Sequence, residues 1–183
     1  MQQAQRPQHG FTLTELLVAL AIAGVLAMIG APAMGNLLAH VEDANTEASV
    51  AASVRHARTA AVMRNTRILV CPSLDGRHCQ HDDDWRRGWI IAQDADHDGQ
   101  PDAEVPLIAV QAAMPTGTGI ITSVGRKRIA FHPDGSAAGS NASFTICHAR
   151  ERDGKTVVVA NSGRVRLDIA DHLHLQKCLA EVP

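Results

Sequence analysis

A long uncharged run near the start of the chain is the feature that most constrains its fold. The run extends from Leu16 to Ala39, 24 residues in a chain of 183, and holds no charged side chain. A helix needs about 20 apolar residues to cross the hydrocarbon core of a bilayer. Three interpretations are open: a cleaved secretory signal with its cleavage site at 31–33, a plain membrane anchor, or a segment that requires Glu15 at its entrance.

Glu15 distinguishes between these interpretations. A carboxylate at the edge of a hydrophobic segment is costly without a partner, and a plain anchor or signal more often carries lysine or arginine there. Together with a short polar leader that ends in glycine, the stretch "FTLTELLVALAIAGVLA" resembles the class III signal of type IV pilins and pseudopilins. The matching positions are Gly10, Phe11, Thr12, Leu13, Glu15 and Pro32.

This resemblance implies how the N-terminus is processed and assembled. A prepilin peptidase is expected to cleave after Gly10, and the new terminal residue, Phe11, is expected to be N-methylated. Glu15 is expected to meet the terminal amine of a neighbouring subunit during assembly. Such a charge pair forms where water is scarce and therefore acts as a registration device.

An amphipathic helix is predicted to continue beyond the apolar run. Val50, Val54, Ala57 and Ala61 recur at helical spacing, as expected for one buried stripe. Alanine is frequent in this stretch and glycine and proline are absent, so one helix is expected from about residue 12 to about residue 65. We interpret its charged side chains as a solvated face; they are Glu42, Asp43, Glu47, Arg55, Arg58 and Arg64.

From residue 67 onward, short strand and turn signals replace the helical period. Segments rich in β-branched residues are separated by clusters of Gly, Pro, Asp and Asn. They are "RILVCPS", "GWIIAQD", "PLIAVQAA", "GIITSV", "RIAFHPDG", "ASFTICHA", "KTVVVANS" and "RVRLDIA". We therefore expect an α+β fold in which the long helix packs on a mostly antiparallel β-sheet, with an aliphatic core because only 3% of residues are aromatic.

The order of these segments resembles the GspH/FimT subgroup of pilin-like proteins over nearly the whole chain. The resemblance implies a leader at 1–10, a long helix at 11–66 with a membrane-spanning part at 11–35, and a β-rich globular domain at 67–183 with a C-terminal DNA-binding tail. It also implies a location. The chain would cross the bacterial inner membrane once, with its globular domain in the periplasm, and would later join the pilus fibre at the cell surface.

The four cysteines predict two disulfides if the domain lies in an oxidising compartment such as the periplasm. We expect Cys71–Cys79 to close a short loop and Cys147–Cys178 to tie the C-terminal tail to the strand "FTIC". The alternative is a zinc site, although the spacing fits no familiar zinc pattern. Its four ligands would be Cys71, His78, Cys79 and His81.

The acidic stretch "DADHDGQPDAE" opens like an EF-hand calcium loop. Asp94, Asp96, Asp98 and Gly99 fit the start of such a loop, but its twelfth position is Val105 rather than glutamate. An acidic Asp-Gly hairpin turn is the alternative interpretation, and we favour it. The three aspartates are kept as a weak calcium candidate.

No motif in the sequence nominates a catalytic set. The stretch "FHPDG", with His132 and Asp134, is typical of a turn after a strand. A G-x-S-x-G, a Walker A and a complete G-x-G-x-x-G are all missing. We therefore expect no enzymatic activity and no cofactor.

Two arginines lie one residue apart in the stretch "SGRVR". Because alternate residues of a strand share a face, we expect Arg164 and Arg166 to point outward and Val165 and Leu167 to point to the core. Charge on an exposed edge strand also protects that edge from unwanted pairing. The spacing alone therefore favours a solvated edge.

The same stretch resembles the G-R-x-R element of FimT-like minor pilins, which implies that Arg164 and Arg166 bind DNA during natural transformation. The net charge is −2, so binding would depend on a local basic patch. Contacts to phosphates would be independent of sequence and weakened by salt. Further members of the patch are expected to be Arg126, Lys127, Arg128 and Lys177.

The implied partners are DNA, other pilins or pseudopilins in the filament, the inner membrane before assembly, and the prepilin peptidase. Two rival functions stay open. One is a GspH-like minor pseudopilin with a structural or initiating role in a type II secretion system. The other is a metal-binding or enzymatic periplasmic domain on an anchor.

Overall fold

The computed structural model of the protein describes residues 12–123, 126–149 and 153–182, apart from the side chains at positions 29, 31–33, 36, 38, 39 and 43. Gly10 and Phe11, the predicted processing site, lie outside the described residues. The chain divides into two compact units with their boundary between Leu38 and Ala39.

The helix α1 extends over Leu13–Arg64, which confirms the predicted helix. Its start is a capping box: the Thr12 amide donates to Glu15 Oε2 (3.1 Å), and the Glu15 amide donates to Thr12 Oγ1 (3.3 Å). Each residue thereby satisfies an N–H group that the first helical turn leaves unpaired. Glu15 thus has a local partner as well as the intersubunit partner that the sequence predicts.

The apolar part of α1 exposes its large side chains within its own unit, including Leu16, Leu20 and Leu26. Among the described residues, we found no helix long and apolar enough to cross a membrane. The membrane-spanning segment at residues 11–35 stays a prediction.

In the second unit, α1 is amphipathic as predicted. Val50, Val54, Ala57 and Ala61 are all buried, while Arg55, Arg58 and Arg64 are exposed. This stripe of small and β-branched side chains lets the helix pack closely against strands.

Each of the eight predicted strand segments contains a strand. Their bounds are β1 Ile68–Pro72, β2 Trp89–Gln93, β3 Ala109–Gln111, β4 Thr118–Thr122, β5 Ile129–Phe131, β6 Ala142–His148, β7 Lys155–Val159 and β8 Val165–Ile169. They form two four-stranded sheets, β3-β2-β1-β5 and β4-β6-β7-β8, and all pairs are antiparallel. We call these the first and the second sheet.

One hydrophobic cluster joins α1 to both sheets. It includes Ala57 of α1, Phe131 of the first sheet, and Phe144 and Val157 of the second sheet. A smaller cluster around Leu69 also includes Ile90 and Ala130. Side chains alternate along a strand, so Leu69 lies on the opposite face of the first sheet from Ile68 and Val70, and every residue of β1 is buried.

Both predicted disulfides are confirmed: Cys71 is bonded to Cys79 and Cys147 to Cys178. The alternative zinc site was wrong because its two sulfur ligands form the first of these bonds. His78 instead lies beside Asp75, with 2.7 Å between His78 Nδ1 and Asp75 Oδ2.

The structure differs from the sequence analysis at two places near the C-terminus: one helix was not predicted, and one expected orientation was wrong. The C-terminal tail contains a helix, α2 (His172–Ala180), whose N-cap is Asp171. Leu167 is 50% exposed rather than directed into the core, because β8 is the edge strand of its sheet, whereas Val165 packs against the core as expected.

Candidate functional site

The predicted arginine pair follows a tight hairpin between β7 and β8. The Ala160 amide donates to the Arg164 carbonyl (3.0 Å), and the Gly163 amide donates to the Ala160 carbonyl (2.8 Å). Three residues, 161–163, thus form the loop, with Gly163 at φ +74°. A three-residue hairpin that ends in a left-handed glycine is a common way to join twisted strands.

The position of Gly163 also has no room for a side chain. A Cβ there would lie 2.0 Å from the Gly135 carbonyl oxygen. Gly135 belongs to the predicted turn after β5, in which its amide donates to the His132 carbonyl (2.8 Å). The hairpin is therefore held against this turn, and Arg164 starts from a fixed backbone position.

Both guanidinium groups of the pair are available for binding. Arg164 and Arg166 are exposed, and the side chain of neither forms a hydrogen bond or an ion pair within the part of the chain that the structure describes. Arg166 lies on the edge strand β8, where it pairs in register with Val158 of β7. The expected outward orientation of the pair agrees with this exposure.

A third arginine joins the hairpin from α1. Arg58 Nε donates to the Gly135 carbonyl (3.0 Å), across 77 positions of sequence. The same Nε would lie 3.0 Å from a Cβ at Gly163. No pattern in the sequence indicates this contact, because Arg58 looks like any other charged residue on the solvated face of the helix.

Sheet register brings the predicted "RKR" group to the same end of the second sheet. Thr122, at the end of β4, pairs with Phe144, and the following Ser123 amide donates to the Ser143 carbonyl (3.0 Å). The loop that contains residues 126–128 therefore leaves β4 at the end where β6 and β8 begin. We call this the hairpin end of the second sheet.

Arg126 links this loop to the start of β6. Its Nη1 donates to the Gly139 carbonyl (2.8 Å) and its Nη2 to Asn141 Oδ1 (3.2 Å). Asn141 directly precedes Ala142, which pairs with Val159, which in turn pairs with Val165. Neighbouring strands are about 4.8 Å apart, so the backbones of Asn141 and Arg164 lie about 10 Å apart.

Lys177 lies at the opposite end of the second sheet. It is an exposed residue of α2, and its neighbour Cys178 is bonded to Cys147 near the end of β6. Asn141 and Cys147 are six residues apart in an extended segment, about 20 Å at 3.3 Å per residue. The structure thus brings Arg126, Arg164 and Arg166 to one end and leaves Lys177 at the other, which we call the α2 end.

Asp171 determines the electrostatics of the α2 end. Its side chain accepts the Leu173 and His174 amides (both 3.0 Å), as an N-cap does. Its Oδ2 also contacts His174 Nδ1. The His174 amide and then the His174 side chain hold the pKa of Asp171 below its usual value.

The structure groups a different set of aspartates from the predicted calcium candidate, with Asp102 in place of Asp98. Carboxylate oxygens of Asp94, Asp96 and Asp102 lie within 4.8 Å of one another, whereas Asp98 Oδ1 accepts the Gln100 amide (2.7 Å). Asp94 is fully buried, and its Oδ2 lies 3.2 Å from Arg67 Nη1.

Asp94 is held as part of an internally bonded turn. Burial raises the pKa of Asp94, while the Gly99 amide and the Arg67 guanidinium act in the opposite direction. The Asp102 carboxylate accepts the Ala95 amide (3.1 Å). The Gly99 amide thus satisfies Asp94 Oδ1 (3.2 Å), whereas Asp94 Oδ2 has the Arg67 ion pair but no hydrogen bond among the described residues.

Two segments of the chain match models of known protein families. A model of the family described as "Type II transport protein GspH" matches residues 48–163. A model described as "Prokaryotic N-terminal methylation motif" matches residues 5–31. A search of curated proteins found no match.

Solved structures of the same fold come from two bacteria. The type IV minor pilin FimU of Pseudomonas aeruginosa strain PAO1 is 17% identical, with 70% of this chain and 90% of that chain covered and a TM-score of 0.58. The minor pseudopilin EpsH of the Vibrio cholerae type 2 secretion system is 13% identical, with 70% and 97% covered and a TM-score of 0.52. These similarities confirm the pilin-like α+β fold.

Proposed function

Because the chain belongs to the GspH family, we propose that it is a FimT-like minor type IV pilin that binds DNA for uptake in natural transformation. One observation carries this proposal. Arg164 and Arg166 are exposed at a sheet edge and have no acidic partner among the described residues. A solvated edge would need charge, but it would not need two guanidinium groups on a backbone fixed by Gly163.

The spacing of the pair suits a phosphate backbone. Alternate residues of a strand lie about 6.7 Å apart, and a DNA strand rises 3.4 Å per phosphate. Two arginines can therefore engage nearby phosphates on one strand, each through a bidentate fork. Arg58 adds a third positive charge beside the hairpin. Such contacts position the protein on DNA without reading its sequence.

Assembly into a filament is the second part of the proposal. The methylation motif supports cleavage after Gly10 by a prepilin peptidase and N-methylation of Phe11. The apolar part of α1 would hold the chain in the inner membrane before assembly, with the globular domain in the periplasm. To meet the terminal amine of a neighbouring subunit, Glu15 would leave its capping box with Thr12. Alternatively, one carboxylate oxygen would stay on Thr12 and the other would accept from the amine.

A minor pseudopilin of a type II secretion system is the alternative. Two observations favour it: the matching family is described as a type II transport protein, and 97% of EpsH is covered by the similarity. In that case, the chain would initiate or cap a pseudopilus, and the arginines would be a solvated edge. No catalytic role belongs to either function.

Cells that carry the variant Arg164→Gln/Arg166→Gln test the proposal. We expect filaments to assemble as before, because neither side chain forms a hydrogen bond or an ion pair with the described residues, while transformation by added DNA falls by at least about tenfold. The matched control is Arg55→Gln/Arg64→Gln, which removes two exposed arginines from α1 and should leave transformation unchanged.

Two results would contradict this proposal. Unchanged transformation in the Arg164→Gln/Arg166→Gln strain would remove the pair from DNA uptake. Loss of secretion in a strain without the gene, with transformation intact, would establish the pseudopilin alternative.

A further inference from the structure

A cavity of about 290 Å³ opens at the loop that follows β4. Four cationic side chains line it, together with Ala130, Gly139 and Ser140. They are Arg67, Arg126, Lys127 and Arg128. The sequence predicted only three of these cations as a group, since Arg67 stands about sixty residues earlier, directly before β1.

Three of the four charges in the cavity are not neutralised by a carboxylate. Arg126 and Arg128 donate to neutral oxygens: Arg126 to the Gly139 carbonyl and Asn141, and Arg128 Nη1 to the Gly99 carbonyl (2.8 Å). Lys127 is exposed and forms no hydrogen bond or ion pair with any described residue. Of the four, Arg67 is the one that forms an ion pair with a described carboxylate, that of Asp94.

The guanidinium groups are also held in place. The bonds to Gly139, Asn141 and Gly99 fix Arg126 and Arg128, both of which are partly buried. Side chains that are ordered before binding lose less entropy when a ligand arrives. The cavity is therefore a preorganised cluster of donors rather than a group of mobile surface lysines.

Arg67 supplies a donor that the protein leaves unused. Its Nε is buried and has no hydrogen-bond acceptor among the described residues, and its side chain is only 19% exposed. A buried donor without a partner costs about 1–3 kcal/mol.

The cavity is close enough to the arginine pair for one ligand to reach both. Arg126 is anchored at Asn141, whose backbone lies about 10 Å from that of Arg164 across two strand spacings. At 3.4 Å per nucleotide of a DNA strand, this distance corresponds to about three nucleotides.

We propose that this cavity is a phosphate-binding site that takes one backbone phosphate of the DNA strand whose neighbouring phosphates lie on Arg164 and Arg166. The proposal rests on the proposed DNA-binding function and adds to it a defined anion site that includes Arg67. A phosphate fits because three guanidinium groups and an ammonium balance its charge, and their remaining N–H groups can donate to its several oxygens. The pair at the hairpin lies on an exposed strand, whereas the cavity gathers four cationic side chains around one recess.

Titration with inorganic phosphate tests the site independently of DNA. The full chain in nonionic detergent would be followed by the ¹H–¹⁵N signals of its arginine Nε groups, at constant ionic strength with chloride as the reference anion. We expect saturable shifts for Arg67, Arg126 and Arg128 and no saturation for Arg164 or Arg166. Arg126→Gln should weaken phosphate binding by about tenfold or more.

DNA binding then tests the connection to the hairpin. Each lost phosphate contact lowers the slope of log K against log salt by about 0.9 for duplex DNA. We expect Arg126→Gln to lower the slope by about one unit and Arg164→Gln/Arg166→Gln by about two, with additive effects when combined. The variant Lys177→Gln, at the α2 end, is the matched control and should not change the slope. Thermal unfolding of each variant verifies that it is folded.

The outcomes separate the two proposals. Absence of saturable shifts with phosphate would overturn the cavity proposal even if the hairpin arginines bind DNA. A phosphate site with an unchanged DNA salt slope in folded Arg126→Gln would also overturn it. If the cavity in that case bound vesicles of anionic phospholipid, it would be a lipid-headgroup site, and the proposal that it binds a DNA phosphate would be wrong. Absence of DNA binding by the unmodified chain would overturn the proposed function, and phosphate binding would still be decided by the titration.

Discussion

The hairpin end and the α2 end of the second sheet lie at opposite ends of the same four strands and are stabilised by different contacts. At the hairpin end, Gly163 packs on a backbone carbonyl, and the exposed arginines beside it have no partner among the described residues. At the α2 end, a disulfide joins Cys147 to Cys178 and Asp171 caps the helix. One end keeps its charges available and the other satisfies its polar groups internally. Binding and stability are thus expected to respond to different substitutions.

The largest expected effect on stability is at the α2 end. Cys147→Ser/Cys178→Ser removes a bond between residues 31 positions apart, which the loop-entropy relation values at about 4 kcal/mol of unfolding free energy. Cys71→Ser/Cys79→Ser, with a separation of 8, should cost about 2.5 kcal/mol. Urea unfolding of the two variants measures the difference. DNA binding by folded Cys147→Ser/Cys178→Ser should retain its salt slope, and a lost slope would mean that the ends are not independent.

A smaller effect is expected at the hairpin end from Gly163→Ala. The left-handed backbone costs an alanine about 1–2 kcal/mol, and displacing the Gly135 carbonyl adds the loss of its bond from Arg58, for about 3 kcal/mol in total. Gly139→Ala is the control, because Gly139 has a similar φ of +76° but nothing within 4 Å of a Cβ. Equal unfolding free energies for the two variants would show that contact with Gly135 does not hold the hairpin.

The smallest expected effect is the pH response of the α2 end. The folded pKa of Asp171 lies below its ordinary value, so its contribution to stability is present above that ordinary value, about 3.9, and is lost as pH falls through the folded pKa. Asp171→Asn keeps a good N-cap without a titrating charge. The protection of the Leu173 and His174 amides against hydrogen exchange, relative to the intrinsic rate at each pH, should therefore fall in acid for the unmodified chain but not for this variant. A fall in both would assign the response to another group.

Local patterns predicted the helix and all eight strands, because hydrophobic period and turn residues act over short distances. The helix α2 was missed, although Asp171 is a capping residue and Leu175, Cys178 and Leu179 have helical spacing. The division into two sheets was also missed, since register between distant strands is not encoded locally. Leu167 was placed in the core because alternation gives the face of a residue but not whether its strand is at an edge.

The candidate site was predicted where its residues are adjacent in sequence. The groups 126–128 and 164–166 each stand in one short stretch, so both were found. Arg58 and Arg67 reach the site through contacts with distant residues, and Asp102 joins Asp94 and Asp96 by chain reversal. Lys177 was grouped with the arginines on charge alone, and the structure places it at the other end of the sheet.

The most direct measurement of the central claim is DNA binding by the full chain in detergent across a range of salt concentrations. The unmodified chain, Arg164→Gln/Arg166→Gln and Lys177→Gln would be compared by fluorescence anisotropy with a labelled duplex. The account predicts binding that weakens with salt, a slope about two units smaller for the arginine variant, and no change for Lys177→Gln. Equal slopes for all three proteins would contradict it and would leave the hairpin arginines as a solvated edge.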